Sequence, residues 1–341
     1  MNQAVGGSSA PIGGAPASGP WQVADFPTPD TPLLTQAGDE VSLAVEIDGS
    51  RNALALVRPD GQVVDTVNVE PVETVPQLWE RLEESLEVAG RRMARHSVRA
   101  VCSGVSIGSG AGELAGASSA DLFREAEALV GHSVDAPVFV DDVGRGFTLA
   151  ERWVGAVEGL DNFAAIYLGH RVSGGIVLNG RLLDGALGHA GRVGHLIVNP
   201  EGRRCRCGGK GCLDTEASVG AIEGRTGRVL SEPSYDLMHQ VGRMVGRAAA
   251  SLANLLDLKV VVCGGPVARE YASTLFNAAQ SEMDTACQMA FSRGARFTSA
   301  KSPEPAGALG AAAIGWHGYV RRHGHTGFDG LTHPGAATGE R

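Results

Sequence analysis

The sequence lacks the features that mark membrane, nucleic-acid-binding and exported proteins. None of its apolar runs approaches the roughly 18 residues that a membrane helix needs. No lysine or arginine precedes Arg51, which excludes a basic DNA-binding arm, a mitochondrial presequence and a twin-arginine signal. The 29 Lys and Arg stand against 38 Asp and Glu, and the resulting net charge of −9 repels phosphate backbones and anionic lipid. We therefore expect a cytoplasmic protein that contacts neither nucleic acid nor membrane directly.

Cysteine is also scarce, and its distribution argues against a disulfide framework. Of the six cysteines, Cys205, Cys207 and Cys212 lie within eight residues of one another. Cys102 and Cys263 stand in apolar, strand-like surroundings, which predicts that both are buried. The clustered cysteines therefore need a role other than disulfide pairing.

The two ends of the chain differ in composition from its middle. Residues 1–40 are rich in Gly, Ala, Pro and Ser and show no sustained apolar period, which predicts a disordered arm. Residues 323–341 are predicted to form a flexible tail. The remaining length, in a chain that is 43% hydrophobic, suits two lobes of ordinary domain size.

Between these ends the pattern alternates strands and helices and then repeats itself. Apolar residues recur at helical spacing from Leu78 to Met93, and a second unit of similar pattern begins at Phe163. Further helices are expected at 235–256 and 306–322. The predicted strands cover residues 41–47, 53–57, 62–69, 98–107, 163–168, 176–178 and 259–263. The pattern predicts a duplicated α/β layout of β-meander and helix units.

The strongest chemical signal is a histidine followed by the three clustered cysteines. His195, Cys205, Cys207 and Cys212 form the three-thiolate, one-imidazole set of a closed structural zinc site. The glycines between the cysteines allow a tight loop around the ion. The alternative is a loop that carries three reduced cysteines, for which we find no packing reason. The sequence therefore predicts one structural zinc ion.

The same region resembles a known family. The run from Ala190 to His195, followed by Cys-x-Cys-Gly-x-x-Gly-Cys-Leu-Asp and Ala217-Ser218, resembles the signature of the ROK family of bacterial sugar kinases and sugar-responsive repressors. The resemblance covers about residues 41–322. It implies a two-lobed actin-like ATPase (ribonuclease H-like) fold that binds ATP and sugar in the cleft. It also implies a homodimer or homotetramer.

The resemblance also predicts where the lobes begin and end. The N-terminal lobe is expected at 41–155, with 303–322 returning to it, and the C-terminal lobe with the zinc loop at 156–302. The family's repressors carry an N-terminal helix-turn-helix, which we do not find in this sequence.

The expected nucleotide-binding motifs depart from the family pattern. The first phosphate loop, Asp-x-Gly-Gly-Thr-Lys in the family, corresponds here to a segment with a carboxylate in place of the first glycine. In the second loop, His170 and Arg171 replace a Thr-Gly pair. The degenerate nucleotide-binding residues are Glu46, Asp48, Gly49, Ser50, Gly169, Gly174, Gly175, Gly264 and Gly265. ATP and magnesium binding is therefore doubtful.

The catalytic position departs as well. The family's Glu-Asn-Asp-Ala-Asn, whose Asp acts as general base, corresponds to Asp141-Asp142-Val143-Gly144-Arg145. The aligned base is Val143, so hexose kinase activity is not expected. Asp142 takes the role only if the alignment slips by one residue.

The cleft residues predict an unusual ligand. Arg192 replaces the glutamate that grips sugar hydroxyls beside His195 in the family, whereas Asp214 keeps a carboxylate. Arg145 and Arg171 add further positive charge, with His170 and His189 near them. We expect a ligand site of Asp142, Arg145, Arg171, Arg192, His195 and Asp214 that prefers an anionic small molecule. The alternative is drift in an inactive site.

Three functions follow from this pattern. The first is a noncatalytic protein that binds a small anionic or sugar-derived ligand between its lobes. The second is a repurposed biosynthetic enzyme on the ROK fold. The third is an active, divergent ATP-dependent sugar kinase that uses Asp142 as its base.

Overall fold

The computed structural model describes residues 38–48, 52–70, 72–108, 111, 119–227, 229–231, 234–303 and 306–324. The predicted arm and tail lie outside these residues, apart from 38–40 and 323–324. Glu40 was assigned to the arm, but it begins the first strand, where its carboxylate pairs with Arg99. Gly49 and Ser50 of the first phosphate loop also lie outside the described residues.

A five-stranded sheet organises the N-terminal lobe. Its strands are β1 (Glu40–Ile47), β2 (Asn52–Val57), β3 (Val63–Val69), β4 (Arg99–Ile107) and β5 (Val138–Asp142), in the order β3-β2-β1-β4-β5. The first three strands form an antiparallel meander, and β4 and β5 continue it in parallel. Parallel strands need crossovers, which helices provide here.

Three helices follow strands of this sheet along the chain, and the first two pack against it. They are α1 (Val75–His96), α2 (Ser119–Ser133) and α3 (Val143–Val154). Thr74 caps α1 by accepting a hydrogen bond from Gln77 N, and Ser97 ends it in the left-handed conformation. The apolar stripe predicted from the sequence is buried at Leu78, Leu82, Leu86 and Ala89. This face holds α1 against the sheet.

The second sheet repeats the topology of the first. Its strands are β6 (Phe163–Leu168), β7 (Val172–Leu178), β8 (Arg181–Leu182), β9 (Val260–Gly264) and β10 (Arg296–Ser299), in the order β10-β9-β6-β7-β8. A meander of β6, β7 and β8 again precedes two parallel strands. The helices that follow are α4 (Leu213–Ala217), α5 (Val219–Thr226), α6 (Tyr235–Leu256), α7 (Pro266–Ala286) and α8 (Ala306–Arg322). The predicted duplicated α/β fold is confirmed.

The last helix, α8, packs on the first sheet rather than on the second. Gly104 of β4 has no room for a Cβ because the backbone of Ala311 lies against it. A Cβ on Gly315 would likewise meet Ser42 Oγ of β1. Trp316 is fully buried, and its Nε1 donates to Val57 O over 3.3 Å. Residues 306–322 therefore join the N-terminal sheet after the chain has built the second one.

The described helices also bear on membrane association. Among them, we find none whose length and apolar content would allow it to cross a membrane.

Candidate metal centre and cleft

Four potential metal ligands converge on the loop that follows β8. The donor atoms of His195, Cys205, Cys207 and Cys212 all lie within 4.8 Å of one another. Cys205 Sγ is 3.7 Å from His195 Nδ1, and Cys207 Sγ is 3.6 Å from Cys212 Sγ. Two sulfurs bound to one tetrahedral ion at about 2.3 Å stand roughly 3.8 Å apart. The four groups are therefore close enough to hold one metal ion.

Local backbone structure sets these distances. Cys205 N donates to Gly209 O over 2.8 Å, and Gly208 N donates back to Cys205 O over 3.0 Å. Gly211 has a positive φ of 72° and lies against the Asn199 carbonyl, where a Cβ has no room. The loop thus closes into a tight turn that brings the three sulfurs to one side.

Burial affects the protonation of one of these ligands. It raises the pKa of Cys212 to about 12. The thiol is therefore protonated at neutral pH until a cation replaces its proton, and metal binding should release protons.

A first cavity, of about 170 Å³, lies between the two lobes. Its walls include Glu46, Val143, Phe147, Tyr167, Gly264 and Gly265. The rings of Phe147 and Tyr167 are 5.4 Å apart and occupy one side. This volume is below the roughly 300–1,000 Å³ that small-molecule pockets usually enclose.

The expected phosphate-loop residues contact other parts of the protein. The Glu46 carboxylate lies against Gly307 of α8, and the Asp48 carboxylate lies against Gly108. Both glycines lack room for a Cβ because of these contacts. Of these two carboxylates, that of Glu46 lines the interlobe cavity.

The glycines of the second loop are packed against neighbouring strands and helices. Gly174 lies against the carbonyl of Ala165. A Cβ on Gly175 would lie only 2.6 Å from Thr148 Oγ1 of α3, so this position has no room for a side chain. Gly169 follows β6 and is buried. Gly265 has a φ of 98° and precedes α7. These glycines permit close packing within the lobe.

Asp142 and Val143 lie where β5 ends and α3 begins. Asp142 caps α3, since its Oδ1 accepts hydrogen bonds from Gly144 N and Arg145 N over 2.9 and 3.0 Å. Val143 is the first residue of the helix and lines the interlobe cavity. The side chain that faces this cavity from the start of α3 is thus apolar.

Arg145, which was predicted to bind an anionic ligand, is bonded to other residues of the protein. The side chain is buried and donates to Asp141 Oδ2 over 2.8 Å, Asp184 Oδ1 over 2.6 Å and Leu183 O over 2.8 Å. Burial raises the pKa of Asp141, and the Arg145 charge opposes that rise. Arg145 joins α3 to the segment after β8.

The other predicted ligand residues fall into two groups. Arg171 Nη1 donates to Asp214 Oδ2 over 2.7 Å, and Val172 N donates to Asp214 Oδ1 over 2.8 Å. Arg192 is exposed, and its Nη2 is 3.3 Å from His189 Nδ1. Arg171 and Asp214 therefore contact each other, while Arg192 lies at the surface beside His189.

A second cavity, of about 320 Å³, lies within the C-terminal lobe. Residues 194–212 carry the four candidate metal ligands and are called the metal loop below. The cavity is lined by Arg203 and Arg204 of this loop together with His170, Arg171 and Asp214. Sequence reasoning missed these two arginines. The signal was a pair of adjacent cations directly before Cys205, but only the folded loop brings them opposite the β6–β7 turn.

The fold and the metal loop together define a two-lobed actin-like ATPase fold with a Cys₃His loop. The model of the ROK family matches residues 42–317. The chain belongs to the ROK family.

Comparison with individual proteins agrees with this family. A glucokinase of Halalkalibacterium halodurans is 33% identical over 211 residues, which cover 53% of this chain and 63% of the glucokinase. The chain spans less than two thirds of the length of the glucokinases that it matches.

Solved structures show the same fold. The ROK hexokinase of Thermus thermophilus has a TM-score of 0.65 at 24% identity, covering 81% of this chain and 98% of the hexokinase. A ROK family transcriptional regulator, a homologue of the Escherichia coli MLC protein, has a TM-score of 0.67 at 24% identity, covering 86% of this chain and 80% of the regulator. At this identity the likeness shows the fold alone.

Proposed function

We propose that the chain is a ROK protein that binds a small sugar-derived ligand and does not phosphorylate hexoses with ATP. The observation that carries the proposal is Val143, which lines the interlobe cavity at the start of α3. In family kinases the aligned residue is the aspartate that removes the proton from the sugar hydroxyl. A valine cannot accept a proton, and loss of a general base typically costs a factor of roughly 10²–10⁴ in rate.

The phosphate-binding side of the cleft supports the same proposal. Asp48, which lies beside Gly108, takes the place of a glycine in the family's first phosphate loop, and its charge would repel a phosphate bound there. The aromatic pair Phe147 and Tyr167 narrows the interlobe cavity. Phosphoryl transfer depends chiefly on positioning, so these changes act together with the loss of the base. The likeness to a glucokinase favours a hexose derivative as the ligand.

A second function, that of an active kinase, is favoured by one feature of Asp142. Both hydrogen bonds that its side chain accepts use Oδ1. Within the described part of the chain, Oδ2 accepts no hydrogen bond, so it is available to take a proton. Asp142 is the base that this alternative requires.

We further propose that the metal is a structural zinc ion. Three thiolates and one imidazole make the donor set of a closed tetrahedral zinc site. The observed 3.6 and 3.7 Å donor separations fit that geometry. All four protein ligands would then be used, which leaves no open position for catalysis.

The experiment that separates the two functions measures ADP release. The purified chain is assayed with ATP, magnesium and a panel of hexoses, amino sugars and their phosphates. We expect turnover no faster than ATP hydrolysis without sugar. Thermal-shift screening of the same sugars then tests ligand binding separately from catalysis, and stabilisation by at least one of them is expected.

Two variants make the assay decisive. Asp142→Ala removes the candidate base, and Asp135→Ala removes an exposed carboxylate that precedes the same strand. Sugar-dependent turnover that is lost in Asp142→Ala but kept in Asp135→Ala would overturn the proposal and establish the kinase.

A further inference from the structure

The second cavity brings the metal loop and the β6–β7 turn together. His170 and Arg171 belong to the turn, and Arg203 and Arg204 belong to the metal loop. Gly220 and Ala221, in the first turn of α5, complete the wall beside Asp214 and Thr215. With about 320 Å³, this cavity is nearly twice the size of the interlobe cavity and reaches the usual range for small ligands.

The charges around this cavity are not balanced. Its three guanidinium groups face one carboxylate, that of Asp214, which already accepts hydrogen bonds from Arg171 and from Val172 N. Arg203 and Arg204 are exposed, and neither guanidinium has a hydrogen bond or ion pair among the described residues. Adjacent like charges raise the free energy of the empty pocket, and an anion would lower it.

We propose that this pocket binds the phosphate group of a small phosphate monoester, with Arg203, Arg204 and Arg171 as its ligands. Three guanidinium groups and one carboxylate leave two uncompensated positive charges, which matches the charge of about −1.5 to −2 that a phosphate monoester carries at neutral pH. A carboxylate carries only one charge. The planar fork of arginine binds phosphate oxygens in pairs, and the N-terminal end of α5 adds a partial positive charge.

The metal loop supplies the rigidity that such a site needs. Arg203 and Arg204 directly precede the metal ligand Cys205. Arg203 O accepts a hydrogen bond from Gly211 N over 2.9 Å, and Arg204 pairs with Lys210 in an isolated β-bridge. The loop therefore holds the backbone beneath both guanidinium groups.

This inference deepens the proposed function, because it names the chemical class of the ligand. In that respect the inference rests on the proposed function. The pocket lies within one lobe, however, and none of its lining residues lines the interlobe cavity. Phosphate binding is measured without ATP or sugar. An active kinase would contradict the proposed function and leave this measurement unaffected.

The test is calorimetric titration of the full chain with inorganic phosphate, with acetate and with glucose. Three double variants are compared with the unchanged protein. Arg203→Ala with Arg204→Ala removes the pocket cations, and Arg203→Lys with Arg204→Lys keeps their charge. Arg206→Ala with Lys210→Ala removes two exposed cations from the same loop that do not line the pocket.

We expect the unchanged protein to bind phosphate in preference to acetate, and we expect the alanine pair to leave any binding of glucose unchanged. The alanine pair should weaken phosphate binding at least tenfold, the lysine pair less, and the control pair by less than twofold. Metal content and thermal midpoint, measured on every variant, identify any that fails to fold. Absence of phosphate binding, tighter binding of acetate, or equal losses in the pocket and control variants would each overturn the proposal.

Discussion

Glu151, a single buried carboxylate, connects α3 to the segment that leads from the second sheet back to the first. It is fully buried. Its Oε2 accepts hydrogen bonds from Ala156 N over 2.7 Å and Lys301 N over 3.1 Å. Its Oε1 accepts from Ser302 N over 2.9 Å and Ser302 Oγ over 2.5 Å. Because four donors bond to one carboxylate, Glu151 links α3 strongly to Lys301 and Ser302, which are distant in the sequence.

Glu151→Gln should therefore destabilise the fold by about 2–4 kcal/mol, because the amide nitrogen faces donors and can accept none of their hydrogen bonds. Urea unfolding measures the loss. The matched control is Glu158→Gln, an exposed glutamate seven residues later, for which a change within about 0.5 kcal/mol is expected. Equal stability of the two variants would show that the four hydrogen bonds contribute little.

Residue identity alone did not reveal where each charged side chain points. The metal ligands were predictable because three cysteines and a histidine at this spacing are typical of a zinc loop. Arg145 was not, since its partner Asp184 lies 39 residues away and only the fold brings the two together. Arg203 and Arg204 were not predictable either, because they line a cavity only once the loop has folded against the β6–β7 turn.

At the scale of elements, the packing of α8 on β1 and β4 depends on glycine. Gly104 in β4 lies directly against the backbone of α8 near Ala311 and Gly315. Close approach of helix and strand buries Trp316 and the small residues of α8. The position of α8 on the first sheet is thus fixed by backbone contact.

Gly104→Ala should push α8 away from the sheet, at a cost near or above the upper end of the roughly 1–3 kcal/mol typical of overpacking. The neighbour is backbone, which cannot move aside as a side chain can. Chemical unfolding measures the change. Gly90→Ala, in an exposed position of α1 with nothing within 4 Å of the new Cβ, should instead stabilise the protein by about 0.5–1 kcal/mol. A neutral Gly104→Ala would contradict the close packing.

The helices and strands were predictable to different degrees. The apolar period placed α6 and α8 at 235–256 and 306–322, as observed, because each is long and strongly patterned. Most predicted strands differ by one residue at an end, although β7 begins at Val172, four residues before the predicted strand. No helix was predicted at α2, α3 or α7, although the buried residues Leu122, Ala126 and Val130 of α2 recur every four residues, as on one face of a helix.

At the scale of the whole molecule, the metal loop has few buried aliphatic side chains. It projects from the second sheet, and His195 and Cys207 are exposed. Its buried aliphatic side chains, Val198 and Leu213, lie at its base. Val198 N donates to Gly211 O and Arg247 Nη1 donates to Val198 O at this base, whereas the bonds between residues 203 and 211 are backbone contacts within the loop itself. A bound ion is therefore the main force that can hold this loop, and with it the two pocket arginines, in one position.

The purified chain should carry about one zinc ion, and Cys207→Ser should release it. Loss of one thiolate leaves three ligands, and release of the loop should lower the thermal midpoint by about 4–5 °C, as expected for roughly 3 kcal/mol in a chain of this size. Because the loop carries Arg203 and Arg204, phosphate binding should weaken in the same variant and in protein stripped of metal by a chelator. Added zinc should restore binding only in the stripped protein.

The control is Lys210→Ala, an exposed change in the same loop, which should leave the metal content and the thermal midpoint unchanged. Elemental analysis that finds the native protein free of metal, or equally stable with and without it, would exclude a structural metal and this dependence together.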